Sequence, residues 1–323
     1  MRRRDLVGGM VGALVIPGAL RAQPQRPLRK IGYLHPRSIA ADHPTLKILR
    51  REWQMLGYVE GETILLRSGQ GDPSRLSTLV AELARLDVAA LIVVGSEAVM
   101  AASRTTKTLP LVGIDLETDP VRAGLAASFA RPGGNVTGLF LDQPSIAGKW
   151  IELLREVSPD LERVALLWDR STGVDQLRTA TAVSQAKGFD PLVLDFVRIS
   201  DFNDALRPLG GRPRTGIVTL TSPGFIASAT AFAVAAKRYR LPTTAILKAY
   251  ARAGVLLSYG PIQEIYFARA MVLADRIARG EKAGNLPIEG PDRFELALNL
   301  ETARSLGLTI PQTLRVRVDE IIE

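Results

Sequence analysis

The residues of this 323-residue chain that could do chemistry stand in two short loops, each directly after a run of apolar side chains. Ser96 follows the run ending in Val93, Val94 and Gly95, and Asp115, Glu117 and Asp119 follow the run 111–114. A serine at the end of a buried strand stands where a helix N-cap belongs. The amides of that helix start, around Glu97 and Ala98, carry the partial positive charge that suits a carboxylate. Three carboxylates at alternate positions suit an ammonium group, or else form a solvated helix-start cluster. Two such loops side by side offer both partners of an amino acid or a similar zwitterion.

Catalysis has little support. The two histidines, His35 and His43, have no metal-ligand spacing to each other or to a carboxylate helix. The chain has no cysteine, which excludes a thiol nucleophile, a disulfide framework and a cysteine metal site. No G-x-S-x-G elbow, phosphate-cradling loop or G-x-G-x-x-G follows any apolar run, and Gly148 with Lys149 lacks the earlier glycine that a phosphate loop needs. No cofactor or metal is expected. The formal charge of +8 is spread along the chain without interleaved aromatics, so a solvated basic surface is expected and a nucleic-acid partner is not.

These loops need a scaffold, and the apolar periodicity supplies one. Short apolar runs at 31–34, 63–66, 87–94, 111–114 and 136–140 read as strands, separated by helical stripes such as Leu76, Leu79, Val80 and Leu83. The same order returns after a helix at 144–157. Strands are expected at 163–168, 192–197, 216–220, 243–247 and 255–259, the first ending in Asp169, Arg170, Ser171 and Thr172. A long helix at 264–279 and an alternating strand at 294–300 close the chain. The fold class is therefore α/β, two doubly wound parallel-sheet lobes joined by a hinge. Lobe 1 is expected over 28–139 plus 262–295 and lobe 2 over 140–261 plus 296–323. A cleft between such lobes is the default ligand site.

The first residues read as an export signal over 1–22. Arg2, Arg3 and Arg4 precede an apolar, glycine-rich run to Leu20, followed by Ala22 and a proline-rich spacer. Removing four arginines and one aspartate takes the charge from +8 to +5. The apolar run, broken by Pro17, is short for a membrane anchor.

Several segments carry a family resemblance. LIVVGSEA, LVGIDLETDPVRAGL, ARPGGNVTGL, GKWIELLREVSPDLERVALLWD, and the tail LPIEGPDRFELALNLETARSLGLTIPQ with VDEIIE resemble the extracytoplasmic substrate-binding proteins of ABC transporters. The branch is that of the type I periplasmic binding fold, related to aromatic amino acid receptors. The resemblance implies a monomeric periplasmic receptor, exported through the Sec or twin-arginine route, that captures a small solute by lobe closure and hands it to a membrane permease. It implies ligand contacts from Ser96, Glu97 and Ala98 to a carboxylate, and from Asp119, with Asp115 beside it, to an amine. Across the cleft it implies contacts from Ser171, Ser222, Lys248 and Tyr259, with Ser96 as a plain cap and Tyr259 as a hinge-packing residue the alternatives. The loop TSPGF and Ala253 depart from the family pattern. A secreted α/β enzyme acting on a small molecule is the rival reading.

Overall fold

Three of the five strands of the first lobe are five-residue runs with every residue buried. In this computed structural model, which describes residues 28–41, 44–196, 201–210, 214–222, 224–225 and 228–323, they alternate with helices. The expected signal and His43 lie outside the described residues. In chain order come β1 (Ile31–His35), α1 (Pro44–Met55), β2 (Ile64–Ser68), α2 (Ser74–Arg85), β3 (Ala90–Val94), α3 (Ser96–Thr105), β4 (Leu111–Asp115) and β5 (Val136–Phe140). The strands form one parallel sheet in the order β2-β1-β3-β4-β5. Leu91 and Val93 of β3 pack into one core with Leu83 and Val99, and Ile92 and Val94 into another with Leu49 and Trp53. That two-sided burial explains why these strands read as unbroken apolar runs instead of alternating ones. The β4–β5 pair is so close that a β-carbon on Gly138, at φ +133°, would lie 2.1 Å from the Gly113 carbonyl oxygen. Only glycine fits there.

The second lobe repeats the plan. It comprises α4 (Gln143–Val157), β6 (Arg163–Trp168), α5 (Asp175–Ala186), β7 (Leu192–Asp195), α6 (Phe202–Gly210), β8 (Thr215–Thr219), α7 (Ala229–Arg238), β9 (Thr243–Ala245), α8 (Lys248–Arg252) and β10 (Leu257–Pro261). The rest of the chain adds α9 (Gln263–Ala278), β11 (Phe294–Asn299), α10 (Leu300–Leu306), α11 (Gln312–Arg315) and β12 (Glu320–Ile322). The second sheet runs β12-β11-β10-β9-β8-β6-β7, so β7-β6-β8-β9-β10 has the strand order of the first sheet. Two extra strands extend it, β11 antiparallel to β10 and β12 parallel to β11. Between β10 and β11 the chain crosses to the first lobe as α9 before it returns.

Three connections join the lobes, β5 to α4, β10 to α9, and the segment before β11. Helix α9 packs on α1, where Trp53 Nε1 donates to Met271 Sδ at 2.9 Å and Tyr58 Oη to Asp275 Oδ1 at 2.9 Å. Side chains more than 200 positions apart therefore share one core. Among the described residues, no helix is long and apolar enough to cross a membrane.

Candidate functional site

In each sheet the strand order reverses between two neighbours, β1 and β3 in the first and β6 and β8 in the second. Open α/β sheets bind ligands outside the carboxyl ends of the strands at such a reversal. The four loops that leave those strands carry Arg37, Ser96 with Glu97, Asp169 with Ser171, and Thr221 with Ser222.

On the first lobe, the turn after β1 fixes Arg37 by its backbone. Its N–H donates to His35 Nδ1 at 3.1 Å, and its carbonyl accepts from Ser68 Oγ at 2.9 Å. The β1–β2 register, which pairs His35 with Ser68, sets up both contacts. The guanidinium Nε is buried and has no acceptor among the described residues. Gly95, at φ +78°, turns the chain from β3 into α3. The first amide of that helix, Ser96 N–H, donates to Glu117 Oε2 at 3.1 Å. Glu117 reaches it because Asp115 at the end of β4 folds the loop back, its Oδ1 accepting from the amides of Glu117 and Thr118 at 2.9 Å each.

Asp115 and Glu117 are 0% and 4% exposed. Burial lifts the pKa of both carboxyls, and their mutual repulsion lifts Glu117 well above the usual range. Asp115 Oδ2 is buried and makes no hydrogen bond among the described residues. Glu97 is also raised, first by burial and then by Asp169, against the pull of Arg37.

On the second lobe, Asp169 organises the site. Its Oδ1 accepts from Ser171 N at 2.9 Å and Ser171 Oγ at 2.7 Å, and its Oδ2 from Ser222 Oγ at 2.6 Å. Ser222 Oγ in turn accepts from Gly224 N at 3.1 Å. Gln176, 1% exposed, holds the loop after β8 by donating from Nε2 to the Thr221 carbonyl and accepting the Thr221 N–H.

The two sets of loops meet. Thr221 Oγ1 stands 3.1 Å from the Leu116 carbonyl oxygen of the first lobe. Arg37, Ser96 and Glu97 wall a narrow cavity with Ser171 and Thr172. A β-carbon on Gly224 would lie 3.1 Å from an Arg37 Nη and 3.5 Å from Asp169 Oδ2, so guanidinium and carboxylate converge over that glycine. Among the described residues, this narrow cleft has the guanidinium of Arg37 and the carboxyl of Glu97 in its walls, with the carboxylate of Asp169 close by.

The structure brings Ser96, Glu97 and Ser171 to this cleft, with Ser222 bonded to Asp169 beside it, buries Asp115 beneath its own loop, and uses the other expected site residues elsewhere. Ser96 does not offer its N–H to a ligand, because Glu117 accepts it. Ala98 lies with its side chain in the first-lobe core. Asp119 caps a turn, its Oδ1 accepting from Val121 N and Arg122 N. Lys248 is engaged by Glu295 Oε2 at 2.9 Å, and Tyr259 stacks on Phe294 with ring centroids 5.4 Å apart. Both of these partners belong to β11, which the expectation for the second-lobe loops did not include. Arg37 and Asp169, which the sequence reading did not single out for the site, stand beside this cleft, and Glu117, read as one of the three loop carboxylates, holds the start of α3. The signal available for Arg37 and Asp169 was their position one or two residues beyond a buried strand.

Known proteins carry the same architecture. A tyrosine-binding protein from Clostridioides difficile is 23% identical over 275 residues, 83% of this chain and 79% of its own length. A Streptococcus pneumonia ABC domain solved in complex with L-Trp superposes with a TM-score of 0.80 at 20% identity, covering 91% of this chain and all of that one. A ligand-free, open substrate-binding protein with adhesive properties from Clostridium difficile superposes at 0.66, with 20% identity and coverage of 91% and 99%. The sequence profile of the ABC transporter substrate binding proteins matches residues 46–322, from α1 to the last strand, and so takes in both lobes and all three hinge connections. With nearly the whole described chain accounted for, this protein belongs to the ABC transporter substrate binding protein family.

Proposed function

We propose that this chain is a periplasmic receptor, exported by its N-terminal signal, that closes its lobes on an amino-acid-like zwitterion and delivers it as a monomer to an ABC permease. The observation that carries the reading is the Arg37 guanidinium, with a buried Nε–H that lacks an acceptor, facing Glu97 and Asp169 across the lobe boundary. A buried donor without a partner costs about 1–3 kcal/mol, and a ligand carboxylate removes that cost. Arg37 takes the α-carboxylate and Asp169 with Glu97 the ammonium, while Ser171 and Ser222 hold Asp169 in place. The named ligands of the two relatives, tyrosine and L-Trp, support this class.

Capture works by closure. A ligand that touches both lobes favours the closed form by its differential affinity, and moving from mostly open to mostly closed takes roughly 5.5 kcal/mol. A bidentate arginine contact and two charge-assisted bonds, at about 1.5–3 kcal/mol each, suffice. The test is calorimetric titration of the mature protein with L-amino acids, aromatic ones first. Binding at micromolar or tighter Kd, lost in Arg37→Ala, is expected. A protein that binds sugars but no amino acid, or that converts a small molecule, overturns the reading in favour of a sugar receptor or a secreted enzyme.

A further inference from the structure

Gly224, in the loop between β8 and α7, has no left-handed φ, so its backbone does not call for glycine. Space does. A β-carbon there would lie 3.1 Å from Arg37 Nη2, 3.3 Å from Arg37 Cζ and 3.5 Å from Asp169 Oδ2, and a longer side chain would grow from that point into the same crowded space. Arg37 belongs to the first lobe and Gly224 to the second, so this contact crosses the boundary along which the cleft opens.

Neither side can step back. Phe225, the next residue, is buried in the second-lobe core, stacked on Tyr250 with ring centroids 5.5 Å apart and edge-on to Phe232 at 5.3 Å. The Gly224 N–H is tied to Ser222 Oγ, and Ser222 Oγ to Asp169. On the first lobe, the turn that carries Arg37 is backed by Gly69, where a β-carbon would lie 2.6 Å from the Pro36 carbonyl oxygen. The far side of the guanidinium meets Gly71, whose β-carbon would lie 3.8 Å from Arg37 Nη1. With both loops held, the lobes themselves are the part that gives.

We propose that Gly224 is a positioning residue for capture: its bare α-carbon is the seat that the Arg37 guanidinium takes when the lobes shut, and a side chain there props the cleft open. The proposal rests on the closure reading given above. A glycine against each Nη group holds the guanidinium in one orientation. A contact made only in the shut form sets the balance between open and shut.

The chain has no cysteine, so spin labels on Val121→Cys and Val174→Cys, exposed positions with one in each lobe, report the lobe separation of the full mature protein. With saturating L-tryptophan, the distance is expected to shorten in the labelled wild type, to shorten in a smaller fraction of Gly224→Ala, and to keep its ligand-free value in Gly224→Leu. L-Tryptophan affinity, read by calorimetry, falls in the same order, by about a hundredfold or more in Gly224→Leu. The ligand-free melting temperature stays within about 2 °C, which separates a seat between lobes from a glycine needed inside one of them. Gly224→Leu that closes as wild type does, or that melts more than about 5 °C lower, overturns the proposal. Calorimetric binding of L-tryptophan to wild type without any shortening also overturns it and leaves the ligand reading intact. If L-tryptophan does not bind wild type, the ligand reading loses its support and the ligand-free distances decide: fewer short distances in Gly224→Leu than in wild type uphold the seat, and equal distributions overturn it.

Discussion

The carboxyl ends of the two sheets use acidic residues in opposite ways. Asp169 of the second lobe is 4% exposed and receives three donors within the loops at its own strand-order reversal. Asp115 and Glu117 of the first lobe are as deeply buried and receive three backbone amides between them, but burial raises the pKa of both and the charge of Asp115 raises that of Glu117 further. The same residue class at the same kind of site thus accepts three donors on one carboxylate in one lobe and is split over a repelling pair in the other. Each carboxyl of the pair has fewer donors, so less of its desolvation cost is offset. Asp169 ties the second-lobe loops together, and Asp115 with Glu117 holds the first-lobe loop and the start of α3 in shape.

The contrast can be broken by mutation. The largest effect is expected from Asp169→Ala, which leaves the Ser171 amide and the Ser171 and Ser222 hydroxyls without their acceptor. Chemical denaturation is expected to show a loss of about 2–4 kcal/mol, together with loss of amino-acid binding. A retained affinity would remove Asp169 from the ligand's partners. Next in size is Glu117→Gln. The amide side chain can still accept from Ser96 N and can donate to Asp115 without a titrating proton, so a gain of about 1 kcal/mol is expected near pH 8. A loss there would mean that the pKa of Glu117 is not raised in the fold.

The pH dependence sharpens the same point. A carboxyl whose folded-state pKa is raised stabilises the fold where it is protonated. Stability from Glu117 is therefore full below its ordinary value of 4.5 and is lost as pH rises through the higher folded-state value. The melting temperature of wild type is expected to fall with rising pH over that window, and that of Glu117→Gln to fall less. The smallest effect belongs to Asp119→Ala. Loss of a turn cap costs about 1 kcal/mol in denaturation, with cleft affinity changing less than in Asp169→Ala.

How much of this was legible in the sequence depends on what each feature rests on. Strands β1, β3, β4 and β5 follow from local apolar runs, and their burial on both faces is the physical cause of those runs. Edge and late elements were harder. β7 is four residues with Leu192 and Val193 exposed, β9 is three, and α8, α11 and β12 carried too little periodicity to announce themselves. β11 was legible as a strand, but its antiparallel place beside β10 is set by pairing between Tyr259 and Leu296, a long-range fact.

The site divides in the same way. Ser96, Glu97 and Asp115 were legible as candidates because strand, loop and helix start lie within a few residues of each other. Asp169 acts through Ser222, 53 positions away, and Arg37 through Gly224, so nothing local marks them as a pair. Lys248 has the expected residue type for a ligand contact and is instead held by Glu295, 47 positions on. Asp119, beside Pro120, looked like an amine partner, but two amides in its own turn occupy its Oδ1.

The central claim is that the two lobes shut on a zwitterion held between Arg37 and Asp169. Small-angle scattering of the mature protein with and without saturating L-tyrosine or L-tryptophan tests it most directly. A radius of gyration that falls with the amino acid in wild type and does not change in Arg37→Ala is predicted. A radius that no amino acid alters, or one that falls equally in Arg37→Ala, contradicts it.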